Sequence, residues 1–203
     1  VVVPPQPALR CDYHLSYPQI IRHEDRWYML PETSGNNTIE LWVAEEFPYK
    51  WALHTILISN ISAADATLSQ IEDRWWLTAA VKHDCRKFGD KLFAWHADTP
   101  LSTNWTPHAQ NPIRSGMLYD RPAGELFQYQ GRLIRPAQDS VKRYGGAIEF
   151  REVTKLTPSA YNEHCIGRLE FASQSGFAGV HTINTCPGMM AIDLLRLVPR
   201  KPV

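Results

Sequence analysis

The sequence predicts an all-β fold, a five-bladed-type β-propeller of which it carries three full blades and part of another. Three observations predict it. A polar turn between two apolar β-prone runs recurs through the chain. A third apolar run follows each turn. A Trp/Tyr-x-x-His element then closes each unit. Three independent landmarks in one order, spaced roughly 40 to 50 residues apart, are the signature of stacked four-stranded units.

The turn is Glu24-Asp25-Arg26-Trp27-Tyr28 in the first unit and Glu72-Asp73-Arg74-Trp75-Trp76 in the second, with Gln130-Gly131-Arg132-Leu133-Ile134 as a weaker third copy. The flanking runs are Pro18-Gln19-Ile20-Ile21 with Trp27-Tyr28-Met29-Leu30, Ala66-Thr67-Leu68 with Trp75-Trp76-Leu77, and Glu125-Leu126-Phe127 with Leu133-Ile134. A short polar break between such runs reads as a hairpin. The third strands are Ile39-Glu40-Leu41-Trp42-Val43, Lys91-Leu92-Phe93-Ala94-Trp95 and Ala147-Ile148-Glu149-Phe150. The closing elements are Trp51-x-x-His54, Trp105-x-x-His108 and Tyr161-x-x-His164, whose histidines sit on outer strands and read as structural. These units span about 14–60, 61–115 and 119–170 of a single domain covering 1–203, with a partial unit at about 177–198. In that last unit Val180-His181-Thr182-Ile183-Asn184 is one strand, and Pro187-Gly188 favours a strand over a helix for Met190-Ala191-Ile192-Asp193-Leu194-Leu195. Val1-Val2-Val3 reads as a strand left from a preceding blade. A blade cannot bury both faces alone, so neighbours stack, with the Trp residues supplying much of the core between them. The count predicts that an N-terminal blade is lacking, or that a second subunit closes the ring as a homodimer through an open blade edge.

Composition excludes several functions. The 203 residues carry 21 Lys+Arg against 21 Asp+Glu, so no basic stripe argues for nucleic acid and no cationic cluster for an anionic membrane. No apolar run approaches the ~18 residues of a membrane span. Cys11, Cys85, Cys165 and Cys186 are scattered without a Cys-x-x-Cys pair and read as reduced thiols. Localisation stays open, with the cytoplasm favoured by the lack of a signal peptide and of a disulfide framework. No Gly-rich phosphate loop, Gly-x-Ser-x-Gly elbow or metal-ligand spacing appears, so neither cofactor nor metal is implied.

Propeller geometry predicts the site. Residues before or on each innermost strand, and residues just after the second strand, converge at one rim of the central channel. The first set is His14, Ser16 and Tyr17, then Asp65, then Asp120, Arg121 and Glu125, then His181 and Asn184. The second is Glu32, Thr33 and Ser34, then Thr78, then Gln138 and Asp139. Such a mixture of carboxylates, imidazoles, guanidinium and amides suits a polyhydroxylated ligand, because every hydroxyl both donates and accepts. Asp65 lies among small neighbours that leave space around it. Asp65 with Glu125 or Glu32 is the candidate hydrolytic pair. His14, Ser16, Tyr17, Arg121, Gln138, Asp139, His181 and Asn184 are the candidate ligand contacts. Arg121 and Arg135 either clamp an anionic ligand or hold blades together.

The motifs His14-Leu15-Ser16-Tyr17-Pro18, Tyr28-Met29-Leu30-Pro31-Glu32-Thr33, Ala64-Asp65-Ala66-Thr67, Arg121-Pro122-Ala123-Gly124, Arg135-Pro136-Ala137-Gln138-Asp139 and His181-Thr182 resemble the propeller-like domain of glucosamine inositolphosphorylceramide transferases and their bacterial relatives. The resemblance runs from about Pro5 to Arg196. That domain is similar in turn to five-bladed family-43-type glycosidases, which use an Asp base, a second Asp and a Glu acid on inner strands. The resemblance implies that Asp65 is an inner-strand acid and that Glu125 lies near the place of the Glu acid. It also implies that a further blade, bearing an Ala-Asp-Pro segment, precedes the His-Leu-Ser-Tyr-Pro motif in the relatives. No Asp-x-Asp pair is present, which argues against a metal-dependent nucleotide-sugar transferase site. Three readings follow: a carbohydrate-recognising propeller, a glycoside hydrolase, or a structural assembly module.

Overall fold

The structure is a computed structural model that describes residues 6–82, 90–116, 119–141, 143–172, 175–186, 188–196 and 198. The expectations placed on Val1-Val2-Val3, Cys85 and Pro187 lie outside them. Strands β1 (Ser16–His23), β2 (Arg26–Glu32), β3 (Thr38–Glu46) and β4 (Lys50–Ser59) form the first sheet. The second comprises β5 (Ala63–Ile71), β6 (Arg74–Lys82), β7 (Asp90–Ala97) and β8 (Thr106–Pro107). The third comprises β9 (Phe127–Tyr129), β10 (Arg132–Asp139), β11 (Ala147–Thr157) and β12 (Ala160–Leu169), and β13 (Phe177–Cys186) pairs with β14 (Met189–Arg196) in the fourth. Every described strand pairing is antiparallel, and each sheet runs in sequence order. The all-β propeller architecture expected from the repeat is therefore present.

The repeated polar motif is a two-residue hairpin turn. The pairs His23↔Arg26, Ile71↔Arg74 and Tyr129↔Arg132 close three hairpins in the same register. Glu24 and Asp25 take φ of 47° and 60°, Gln130 and Gly131 take 49° and 75°, and Glu72 takes 56°. Left-handed backbone at both central residues of the first and third turns, and at the first central residue of the second, matches the twist of the flanking strands.

The first two sheets share one core. Tyr28, Leu30, Ile39, Leu41, Val43, Leu68 and Leu77 are buried there with Trp75, Trp95 and Trp105. A second cluster of Ala123, Ile148, Val180 and Ile183 joins the third and fourth sheets. Between the first and second sheets Gln19 takes the place of a ladder pairing. Its amide donates to the Leu68 carbonyl and accepts from the Leu68 N–H, both at 2.7 Å, and so stitches β1 to β5.

Two strands are shorter than the repeat suggested. Glu125 and Leu126 precede β9 rather than lying on it. The preceding chain turns away to the fourth sheet, where the Ile183 N–H donates to the Ala123 carbonyl at 2.7 Å. Gly124 permits the approach, because a Cβ there would sit 2.0 Å from the Ile183 carbonyl oxygen. β8 is only two residues long because Asn111 takes over its pairing, bonding the N–H and carbonyl of Ala94 at 2.9 and 2.7 Å. The run from Met189 to Arg196 is a strand, with every side chain exposed. Cys11, Cys165 and Cys186 are free thiols. Among the described residues no helix is long and apolar enough to cross a membrane.

Candidate functional site

Three inner strands carry the same irregularity at the same place. Between Ser16↔Glu32 and Gln19↔Leu30, the residues Tyr17 and Pro18 oppose the single residue Pro31. Between Ala64↔Ala80 and Thr67↔Thr78, Asp65 and Ala66 oppose Ala79. Between Val180↔Leu194 and Ile183↔Ile192, His181 and Thr182 oppose Asp193. Each is a β-bulge, which leaves one residue unpaired and re-aims its side chain. Tyr17 and Asp65 take left-handed φ of 44° and 52°. That conformation costs a non-glycine residue about 1–2 kcal/mol, so the surrounding structure must hold it.

The first bulge residue of each strand points to one cleft. A cavity of about 450 Å³ is lined by Tyr17, Asp65 and His181 together with His14, Ser16, Glu32, Arg121, Tyr144, Thr182 and Asp193. Asp65 lies at its base and is buried. Its Oδ2 accepts from Arg121 Nε at 2.6 Å and from Gln138 Nε2 at 3.0 Å. Gln138 is itself fixed by donating to the Pro122 carbonyl at 2.7 Å. The Asp65 backbone N–H donates to Glu32 Oε2 at 3.3 Å, and Ser34 Oγ donates to Glu32 Oε1 at 2.8 Å. Burial pushes the Asp65 carboxyl above the usual carboxylate range, and the Arg121 guanidinium offsets part of that shift.

Asp193 caps the third bulge. Its Oδ1 accepts the backbone N–H groups of both His181, at 3.0 Å, and Thr182. Its Oδ2 lies 3.0 Å from His181 Nδ1. Those bonds hold the Asp193 carboxyl below its ordinary value although burial opposes them. The Tyr144 ring lies 4.7 Å from the His181 ring and 5.8 Å from Arg121 Cζ.

A smaller cavity of about 230 Å³ adjoins the cleft and is lined by Tyr17, Pro18, Gln19, Thr67, Glu125, Thr182 and Asn184. The Tyr17 hydroxyl and Thr67 Oγ1 are 3.2 Å apart on its wall. Burial raises the Glu125 carboxyl, and a Gln19 amide N–H at 3.4 Å only partly opposes it.

The structure thus brings His14, Ser16, Tyr17, Glu32, Asp65, Arg121 and His181 into one cleft, with Gln138 behind Asp65. Glu125 and Asn184 stand in the adjoining cavity. Asp139 is elsewhere, ion-paired to Arg168 and accepting the Val141 N–H at 2.9 Å. Asp120 is engaged by Arg114 at 2.7 Å. Arg135 is fully buried and grips Glu163 of its own sheet through two bonds of 2.7 and 2.8 Å, so it neither lines the cleft nor ties one blade to the next through this pair. Sequence reasoning missed Asp193, which lies on the strand opposite the bulge, and Tyr144, which lies on the β10–β11 loop. His-Thr followed by an Asp in the next strand was the available signal for the first. The second had none. Among the described residues no group of three His, Cys, Asp or Glu side chains is placed to hold a metal.

Solved structures share this architecture. An α-L-arabinofuranosidase from Lactobacillus brevis superposes with a TM-score of 0.63 at 12% identity, covering 91% of this chain and 66% of that one. A family-32 β-fructofuranosidase of Bombyx mori gives 0.59 at 11% identity over 90% of this chain and 43% of that one. At such identities the likeness is one of fold. Sequence relatives are nearer. Glucosamine inositolphosphorylceramide transferase 1 of Oryza sativa subsp. japonica is 37% identical over 160 residues, and that of Arabidopsis thaliana 32% over 162. Both alignments cover 77% of this chain, which spans only about a fifth of the relatives' length (21% and 20%). Residues 7–180 match the family described as glucosamine inositolphosphorylceramide transferase 1, N-terminal, and the chain belongs to that family.

Proposed function

We propose that this chain is a carbohydrate-recognising propeller domain whose ligand occupies the cleft of Tyr17, Asp65, Arg121 and His181. The observation that carries this reading is the threefold bulge, strained at Tyr17 and Asp65, which aims one polar side chain from each of three sheets at a common space. The cleft holds carboxylate acceptors, a guanidinium donor and imidazoles, the mixture that hydroxyl groups need. The glycosidases that share the fold and the transferases related in sequence support this reading. A glycan array tests it. Wild-type protein retains at least one glycan class, and Asp65→Ala loses it. Retention of the same glycans at full strength by Asp65→Ala refutes the assignment.

A second reading, glycoside hydrolysis, is favoured by the carboxyls themselves. Asp65 and Glu32 share the cleft, and Glu125, raised by burial, stands in the adjoining cavity as a group suited to give a proton. In this reading Asp65 works with Glu125 or Glu32 across one glycosidic bond. Hydrolysis of aryl glycosides that Asp65→Asn abolishes supports it, and unchanged glycan binding without turnover removes it.

Assembly is a third element of the proposal. Among the described residues the fourth sheet has two strands where the others have four, and β14 exposes Met189, Met190, Ile192, Leu194 and Leu195. Antiparallel pairing of β14 with its copy in a second chain would give a four-stranded sheet of the same strand number as the other three. Sedimentation equilibrium reads a homodimer that Ile192→Lys dissociates. A monomer at every concentration refutes it.

A further inference from the structure

We infer that Tyr144 is the cleft's stacking platform, presenting a ring face to the C–H face of a pyranose whose hydroxyls are held by the polar groups below. The inference rests on the carbohydrate reading of the cleft and adds a specificity-determining residue to it.

The first observation is exposure. Tyr144 is 61% exposed, so the ring adds little to any core, yet it lines the cleft beside Arg121 and His181. An aromatic ring left in water at the mouth of a polar concavity is a surface for a ligand with one apolar face. Pyranosides have such a face, where axial C–H groups gather while the hydroxyls project around the rim.

Fixation is the second observation. A loop residue that samples many positions makes a poor platform, because the binding event must pay for ordering it. This loop is held from three sides. The Arg121 guanidinium and the His181 imidazole flank the ring, at 5.8 and 4.7 Å. Gly145, at φ +65°, follows the ring and lies against His181, where an added Cβ would meet the His181 Cβ at 3.4 Å. Gly179 on β13 lies so close that a Cβ there would sit 1.9 Å from the Gly145 carbonyl oxygen. The loop therefore rests on the backbone of the next sheet. Asp139 shapes its opening by accepting the Val141 N–H, and Arg168 holds Asp139 in turn. Asp139 is thus a positioning residue for the loop that carries the ring.

The third observation is complementarity. Around the ring stand Glu32, Asp65 and Asp193 as acceptors and Arg121 as donor. Burial and those same carboxylates raise the Tyr144 hydroxyl above its ordinary value, so the ring stays neutral at physiological pH.

The test uses methyl α- and β-glucopyranoside, galactopyranoside and mannopyranoside at millimolar concentration, with wild-type protein, Tyr144→Phe and Tyr144→Ala. Proton NMR reads both affinity and the upfield ring-current shift of sugar C–H protons. Thermal melts, expected to be unchanged for so exposed a residue, confirm that both variants fold. The expected result is binding and upfield shifts with wild type, both kept within about twofold by Tyr144→Phe, and a loss of about tenfold in affinity with disappearance of the shifts in Tyr144→Ala. Wild-type binding that Tyr144→Ala preserves overturns the platform and leaves the cleft standing. Failure of wild-type protein to bind any of the six probes overturns the cleft reading for simple pyranosides, and the platform with it.

Discussion

Replacing Gln19 by Leu removes the amide that stitches β1 to β5. Gln19 is 6% exposed, and it satisfies both the N–H and the carbonyl of Leu68 at 2.7 Å each. Leu fills nearly the same volume but neither donates nor accepts. Two buried backbone groups of Leu68 are then left without partners, at about 1–3 kcal/mol each. The relief of no longer desolvating the Gln amide returns part of this, so the expected net loss is about 2–4 kcal/mol. For a domain of this size that corresponds to a fall of roughly 5–12 °C in Tm, or about 1 M in the urea midpoint. Gln19→Glu sharpens the case. It keeps an acceptor for the Leu68 N–H but turns a carboxylate toward the Leu68 carbonyl and toward Glu125, whose Oε2 lies 3.4 Å from the Gln19 amide nitrogen. Its loss at neutral pH should equal or exceed that of Gln19→Leu, and should shrink in mild acid as the carboxyls protonate. Urea unfolding followed by Trp fluorescence measures both. A Gln19→Leu protein within about 0.5 kcal/mol of wild type would show that the two inner strands need no such link, and the reasoning would fall.

Glu163 accepts from Arg135 at 2.7 and 2.8 Å and from Arg151 at 2.6 Å, and Tyr161 also donates to it. Although burial alone would raise its carboxyl, these partners hold it down to about 2. Its folded-state value lies below the unfolded value near 4.5, so its contribution is complete above pH 4.5 and lost as pH falls toward 2; acid titration of stability should show a loss of order 3 kcal/mol in that window, absent in Glu163→Gln. Glu125 has the opposite sign: raised by burial, it favours the protonated state in the fold, so Glu125→Gln should raise the urea midpoint at pH 7 and leave it unchanged below pH 4. Gly124→Ala places a Cβ 2.0 Å from the Ile183 carbonyl oxygen and should cost several kcal/mol or separate the third and fourth sheets, read by a melt. The cleft sets the carboxylates of Glu32, Asp65 and Asp193 against one guanidinium, Arg121, so methyl glucuronide should bind more weakly than methyl glucoside, with the gap narrowing as salt is raised; equal binding would contradict this charge balance.

Much of this architecture could be read from residue order. The hairpin turns announce themselves because left-handed backbone restricts the central residues and fixes the register on either side. The inner-strand rim was legible for a related reason: Tyr17, Asp65 and His181 lie before or on the innermost strands that the strand pattern locates. What escaped is non-local. Asp139 and Asp120 sit at rim positions in the sequence but are taken up by Arg168 and Arg114, contacts between segments whose pairing no local pattern encodes. Glu125 reads as part of a strand, yet the preceding Ala123 bonds to Ile183 on another sheet and pulls the chain away. Tyr144 lies in a loop whose course depends on the backbone of β13, and Asp193 matters only because the bulge opposite it exposes two N–H groups.

The repeated bulge carries a consequence for how the contents of the cleft can change. Tyr17, Asp65 and His181 are each the supernumerary residue of their strand, so none is matched to a partner across the ladder. Exchanging one of them alters the contents of the cleft while leaving the alternation of every neighbouring side chain intact. The constraint lies between sheets instead: Asp65 accepts from Arg121 and Gln138, and the Tyr17 hydroxyl lies 3.2 Å from Thr67, so a change at either position must be answered on a neighbouring segment. A change in what the cleft holds is therefore a coordinated change of several residues rather than a single exchange.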